Sequence, residues 1–103
     1  MKLMENLTWP SGWSGIEDEA EKNHLTLELA REVPEGHPLF QKSVQSLGRS
    51  QRRDDFLFQL DDLQVARVHL TWAVESDPRW PFTDIYASFS EWASIEAANE
   101  DDD

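Results

Sequence analysis

Two segments of alternating apolar residues in the middle of the chain restrict its fold more than any other feature. Every second residue is apolar over 56–60 and again over 66–74, and the polar turn 61–63 separates the two segments. A period of two residues is typical of strands with one buried face. The pattern therefore predicts an antiparallel hairpin within residues 54–74.

The same residues restrict the register of this hairpin. If both apolar sets share one face, the numbers of opposed residues add up to 124 or 126. With a sum of 124, Asp55 lies opposite His69 and Leu57 lies opposite Arg67. We expect an aspartate in that position to hold the imidazole in one tautomer, which is half of an acid–base arrangement.

A helix is predicted on the N-terminal side of the hairpin. Within residues 17–33, Leu25, Leu29 and Val33 are spaced four residues apart, and acids gather in the first turn, where the helix dipole favours them. The alternation of Leu25, Leu27 and Leu29 leaves a strand as the alternative for residues 24–30.

Two further strands and a second helix complete the predicted elements. Residues 44–49 and 83–87 are short enough and apolar enough to form strands. The sequence Ser88-Phe89-Ser90-Glu91 fits a capping box, in which the serine accepts a backbone N–H and the glutamate reaches back. The helix that follows is expected to turn a stripe of three side chains toward the core: Phe89, Trp92 and Ile95.

These elements predict an α+β fold, with an antiparallel three- to four-stranded sheet and an N-terminal and a C-terminal helix packed on one face. The length of 103 residues suits one domain. We assign that domain to residues 17–98. A Trp-, Gly- and Pro-containing segment precedes it at 1–16, and an acidic tail at 99–103 is predicted to be disordered.

Composition excludes several classes of function. With 21 acids against 9 lysines and arginines, the net charge is −12, which opposes binding to nucleic acids or to anionic membranes. The absence of cysteine excludes disulfides, thiolate chemistry and Cys-ligated metals. No apolar run reaches the roughly 18 residues of a membrane span. We expect a soluble cytoplasmic protein without a cofactor.

The negative charge is unevenly distributed along the chain. Residues 17–21 contain four acids and residues 96–103 contain five, and neither stretch contains a base. The remainder holds 12 acids and 9 bases and is therefore close to neutral. Such charge runs are typical of solvated faces and tails.

Catalytic candidates are few and do not form a motif. His69, Asp55, Arg67 and His37 are the residues that we consider for a small hydrolase-like or metal-assisted enzyme. Thr71 and Ser88 are the hydroxyl candidates for a nucleophile, without a surrounding nucleophile elbow. The sequence contains no HExxH pair or calcium-binding loop, so no metal ligands are assigned.

Tryptophans suggest a different class of function. Trp9, Trp13 and Trp80 lie in segments rich in proline or glycine, and tryptophan is enriched in interface hot spots. They are our candidates for binding a protein partner. The alternative for Trp9 and Trp13 is that they cap the edge of the core. Our leading hypothesis is a small non-catalytic interaction domain, and the enzyme is the alternative.

A third hypothesis is an acidic inhibitor or immunity-type protein. The predicted helix 17–33 could present several acids together, at Glu17, Asp18, Glu21 and Glu28. The concentration of the remaining charge near the C-terminus opposes this hypothesis, because a mimic of nucleic acid needs its acids on one folded face.

Several short stretches together resemble a family of small bacterial proteins that carries no assigned activity. They are Leu29-Ala30-Arg31-Glu32-Val33, Gly36-His37-Pro38-Leu39, Asp54-Asp55-Phe56-Leu57-Phe58, Val68-His69-Leu70-Thr71-Trp72, Trp80-Pro81 and Ser88-Phe89-Ser90-Glu91-Trp92. The resemblance covers about residues 25–95 and implies a bacterial cytoplasmic protein with one compact domain. It also implies a glycine in the turn after Asp61, where this chain has Leu63.

Overall fold

The computed structural model describes residues 8–100, and in this part the backbone forms five strands and two helices. In chain order they are β1 (Trp13–Gly15), α1 (Glu19–Glu32), β2 (Gln45–Ser50), β3 (Asp55–Gln59), β4 (Val65–His69), β5 (Phe82–Tyr86) and α2 (Phe89–Glu100). The strands form one antiparallel sheet in the order β1-β2-β3-β4-β5. The α+β class is confirmed, with one or two strands more than predicted.

The central hairpin has the register that the alternating residues predict. Asp55 pairs with His69 and Leu57 pairs with Arg67, so the sum of 124 is confirmed. The turn between β3 and β4 places Leu63 at φ 70°, a left-handed conformation that glycine adopts far more readily than leucine. The glycine expected in this turn therefore has a conformational reason.

The two helices lie on opposite faces of the sheet, and the prediction that both pack on one face is wrong. Phe56 and Phe58 belong to the core cluster that contains the apolar side chains of α1. Leu57 lies between them, points to the other face and belongs to the cluster that contains Trp92 of α2. All five residues of β3 are buried, and a strand covered on both faces carries a continuous apolar run.

The N-terminal tryptophans lie in the core on the α2 face, termed the second core. Trp13 is 7% exposed and its ring centroid lies 4.8 Å from that of Trp92, edge to face. Trp9 is half-buried against Phe89, at 5.0 Å, and covers Gly48 so closely that a Cβ there would lie 2.3 Å from the indole ring. The Trp-, Gly- and Pro-containing segment at 1–16 thus contributes a strand, β1, to the sheet.

Both helices begin with side-chain caps. Asp18 accepts the backbone N–H of Glu21 at 3.1 Å, which fixes the start of α1. At α2, Ser88 Oγ accepts the N–H of Glu91 at 3.1 Å, and the Glu91 carboxylate accepts the N–H of Ala87 at 3.0 Å. The capping sequence thus works as predicted, with Ala87 as the residue to which the glutamate reaches back.

The C-terminal helix differs from its predicted apolar stripe. Ile95 is 40% exposed, whereas Glu96 is buried at 8% and contacts Arg67. The helix continues through Glu100, so residues 99 and 100 belong to α2, while residues 1–7 and 101–103 of the predicted terminal segments lie outside the described part. In the described part, neither helix is long and apolar enough to cross a membrane.

Candidate functional site

His69 and Asp55 form a close pair on the α2 face of the sheet. The pairing of β3 with β4 brings His69 Nδ1 to 2.6 Å from Asp55 Oδ1. A carboxylate only accepts, so Nδ1 carries the proton of this hydrogen bond. Asp55 is buried at 6%, whereas the side chain of His69 is 48% exposed. The pair can orient an imidazole whose other nitrogen remains available to other groups.

Arg67 lies on the same face but is committed to two carboxylates. Its guanidinium lies 3.2 Å from Asp84 of β5 and 3.3 Å from Glu96 of α2. Burial disfavours the charged guanidinium, but the attraction of Glu96 and Asp55 outweighs it, so the pKa of Arg67 is raised. Arg67 therefore fixes α2 to the sheet, and its charge is already balanced.

His37 is buried apart from the His69 pair. Its Nδ1 accepts the backbone N–H of Leu39 at 3.0 Å, and its Nε2 lies 2.8 Å from the carbonyl oxygen of Pro81. It also contacts the hydroxyl of Thr83, whose side chain points to the face opposite that of His69. The structure therefore does not bring the two histidines into one site.

The hydroxyl candidates also have other partners. Thr71 Oγ1 donates to Glu32 at 3.1 Å, and Ser88 Oγ caps α2. Across residues 8–100, no three histidine, aspartate or glutamate side chains lie together in a group that could hold a metal ion. The enzyme hypothesis thus retains the His69–Asp55 pair and stays a prediction.

An open groove lies at the start of β5 and is termed the Trp80 groove. It has a volume of about 440 Å³ and is lined by His37, Pro38, Pro78, Arg79, Trp80, Pro81, Phe82 and Thr83. Trp80 is 42% exposed and Phe82 is 50% exposed, and their ring centroids lie 6.5 Å apart. The groove is therefore mainly aromatic and prolyl, with one cation at its margin.

Local hydrogen bonds hold the groove in shape. The backbone N–H of Trp80 donates to Asp77 O at 2.9 Å and closes a turn. The carboxylate of Asp77 pairs with Arg79, and this hydrogen bonding lowers the pKa of Asp77 to about 2. On the other side, His37 contacts the carbonyl oxygen of Pro81, as described above. The turn is thus closed on itself at Asp77 and held to the segment of His37 at Pro81.

Glu32 is a buried carboxylate that the candidates from the sequence do not include. It accepts the N–H groups of Thr71 and Trp72 at 2.9 and 2.6 Å and so ends the strand character after β4. Trp72 has φ 61°, a strained conformation for this residue. Burial, and then hydrogen bonding with Glu28, raise the pKa of Glu32 to about 7. The helical spacing of Glu32 from Leu29 indicates the buried face.

The three tryptophans proposed for binding are thus placed differently. Trp13 is buried in the second core, Trp9 is half-buried there, and Trp80 is exposed in the groove. Phe82 joins Trp80 and was not among the candidates. Its signal in the sequence is weak, because a single apolar residue can lie on the surface as well as in the core.

Comparison of the chain with family models, with curated proteins and with solved structures gave no match. The functional argument therefore rests on the geometry described above.

Proposed function

We propose that this chain is a non-catalytic interaction domain of the bacterial cytoplasm that binds another protein through the Trp80 groove. The observation that carries the proposal is the exposure of Trp80 and Phe82, two large aromatic side chains beside one apolar groove. Exposed aromatic groups of this kind gain the most from burial in a partner. Clustered exposed apolar surface is typical of interaction sites.

The shape of the groove supports the same function. Three prolines line it, and the turn that carries Trp80 is closed by hydrogen bonds. A surface that is already ordered loses little conformational entropy when a partner binds. Trp80 and Phe82 can therefore act as anchors without a costly rearrangement of the loop.

The other hypotheses have less support from the geometry. The His69–Asp55 pair favours acid–base chemistry. The side chains of His37, Thr71 and Ser88, however, form hydrogen bonds with other groups rather than with this pair. For an acidic inhibitor, α1 offers a face whose acids are partly neutralised by three ion pairs: Glu19 with Lys22, Glu21 with Arg49 and Glu28 with Arg31. Paired acids are poor mimics of a phosphate backbone.

A pull-down from the cells that make the protein tests the proposal. The full chain carrying Trp80→Ala is compared with wild type and with Leu27→Ala, at low and at high salt. Leu27 is 70% exposed on α1, so Leu27→Ala removes an exposed apolar side chain from a surface outside the groove. We expect a partner that is retained by wild type and Leu27→Ala and lost by Trp80→Ala.

Retention of the same partner by Trp80→Ala and by Phe82→Ala would contradict the proposal. Salt separates the forces that are involved, because apolar contacts in the groove persist at high salt whereas exposed ion pairs weaken.

A further inference from the structure

The strand β5 forms one edge of the sheet, and in the described part no strand pairs with its outer side. It pairs with β4 in continuous register from Phe82 opposite His69 to Tyr86 opposite Val65. Its five residues include no proline, no glycine and no bulge. Proline and bulges are among the features by which natural edge strands avoid pairing with another chain. This edge is therefore open to strand addition.

The ladder of the central hairpin shows which residues of β4 bond to β5. The N–H of Leu70 donates to Asp54 O at 3.0 Å, and the N–H of Leu60 donates to Gln64 O at 2.8 Å. Hydrogen-bonded pairs alternate with non-bonded pairs in an antiparallel ladder. The residues at 66 and 68 therefore bond to β3, and those at 65, 67 and 69 direct their backbone groups to β5.

The same alternation applies to β5. Asp84 lies opposite Arg67, so its backbone groups point to β4. The backbone N–H and C=O groups of its neighbours Thr83 and Ile85 point outward, away from the sheet. The free edge thus offers two donors and two acceptors at the spacing that an added strand requires.

Side chains on β5 determine what kind of strand fits. On the α2 face, Phe82 is 50% exposed, and Asp84, which shares the Arg67 guanidinium with Glu96, keeps 39% of its side chain exposed. The two carboxylates and one guanidinium carry one excess negative charge. On the other face, Ile85 is 42% exposed. Phe82 and Asp84 share one face, so an added strand that fits carries an apolar residue opposite Phe82 and, two positions along, a lysine or arginine opposite Asp84. On the other face it carries an apolar residue opposite Ile85.

A second copy of this chain does not fit the edge well. Antiparallel pairing of two β5 strands over their full length places Thr83 opposite Ile85 of the copy and Asp84 opposite its own equivalent. Like charges that are directly opposed destabilise a sheet. Each copy also carries a net charge of −12, which adds repulsion between the two domains.

We propose that the partner binds as an extended, basic segment of another protein that adds to β5 as a sixth strand, with a lysine or arginine facing Asp84 and an apolar side chain reaching Phe82 and the Trp80 groove. This inference rests on the function proposed above. It specifies the partner as a polypeptide that is read through its backbone and through the alternation of its side chains.

Synthetic ten-residue peptides test the inference with the full chain. One set consists of valine, isoleucine or tyrosine with a lysine or arginine at every fourth position, so that basic and apolar residues alternate along one face, and a matched set has glutamate at every basic position. Binding is measured by fluorescence anisotropy. We expect the basic set to bind and the acidic set to bind at least about tenfold more weakly. Methylation of alternate backbone nitrogens in a binding peptide is expected to abolish binding.

Two variants separate strand addition from other contacts. Ile85→Pro removes an N–H that faces outward, which a folded edge strand tolerates, and Ile85→Thr keeps that N–H. We expect Ile85→Pro to weaken binding by about tenfold or more and Ile85→Thr to remain within about threefold of wild type. Amide exchange of wild type provides an independent measurement, since peptide binding should slow exchange at Thr83 and Ile85.

The inference would be overturned if Ile85→Pro bound the basic peptides as tightly as wild type, or if the basic set did not bind. It would also be overturned if wild type formed a dimer that Ile85→Pro dissociates. The same variant in the pull-down separates this failure from failure of the proposed function. A partner that is lost by Trp80→Ala and kept by Ile85→Pro supports the interaction domain and rejects strand addition. A partner that is kept by both variants rejects the Trp80 groove as its binding surface.

Discussion

Replacing Glu32 by glutamine should change how the stability of this domain depends on pH. Glu32 is fully buried, and its carboxylate accepts hydrogen bonds from the backbone of Thr71 and Trp72. Burial and the neighbouring Glu28 carboxylate raise the pKa of Glu32 from its ordinary value of 4.5 to about 7. Glutamine has a similar shape and keeps an acceptor oxygen, but it does not titrate.

The size and the sign of the effect follow from this difference. In the unfolded chain Glu32 loses its proton near pH 4.5, whereas the folded protein keeps it until about pH 7. The folded state therefore binds more protons in this interval, and the free energy of unfolding falls as pH rises through it. A shift of this size corresponds to about 3 kcal/mol, present below pH 4.5 and lost above about pH 7.

Urea unfolding at a series of pH values from 4 to 8.5 measures this contribution. The difference in unfolding free energy between Glu32→Gln and wild type isolates Glu32 from the other carboxylates. We expect that difference to move by about 3 kcal/mol in favour of Glu32→Gln across the interval. Glu35→Gln removes the same charge from an exposed position and controls for the change in net charge. Parallel pH profiles for wild type and Glu32→Gln would refute the reasoning.

Substitutions at three further positions test the fold, each by urea unfolding against wild type. Leu63→Gly should stabilise the domain by up to about 1 kcal/mol, because Leu63 occupies a left-handed conformation and is 44% exposed. An unchanged or lower free energy of unfolding would contradict this reason. Gly48→Ala should cost about 1–3 kcal/mol, because the added methyl group meets the Trp9 ring, and a neutral effect would show that Trp9 packs elsewhere. Ser88→Ala should cost about 1 kcal/mol through loss of the α2 cap, whereas Ser88→Asp, which keeps an acceptor, should cost little.

The sequence limits the register of the hairpin to sums of 124 or 126 because of one physical requirement. Sharing of one face by the apolar residues of β3 and β4 permits few alignments, and one of them pairs Asp55 with His69. The helix α1 could be predicted from the spacing of its apolar residues and from the acids in its first turn. The start of α2 could be predicted from its cap, since Ser88 satisfies an N–H group that lies close in sequence.

The arrangement of the layers could not be predicted in the same way. Alternation shows which residues share a face but does not show what covers each face. The signal for a sheet covered on both sides was Leu57, which makes the run 56–58 continuously apolar. The sequence does not indicate the strand β1, because Gly15 lowers strand propensity. Glycine at this position allows the close approach of the Trp9 ring.

The candidate site shows the same division between local and distant effects. The His69–Asp55 pair follows from local pairing and could be predicted. The position of His37 depends on the carbonyl oxygen of Pro81, which lies 44 residues away, so no local pattern indicates it. Likewise, Glu32 of α1 accepts the backbone N–H of Thr71, 39 residues later in the chain. The strand β4 ends at His69, and the predicted extension of that strand to Val74 does not occur.

Site-specific photocrosslinking in the native cells tests the central claim most directly. A photoreactive phenylalanine analogue placed at position 82 reports on the Trp80 groove. The same analogue at position 27 reports on the surface of α1, where Leu27 is 70% exposed against 50% for Phe82. We predict one discrete protein adduct from position 82 and none from position 27, with the adduct lost when Trp80 is replaced by alanine. Adducts of equal yield at both positions, or none at position 82, would contradict the assignment of this domain as an interaction module that binds through the groove.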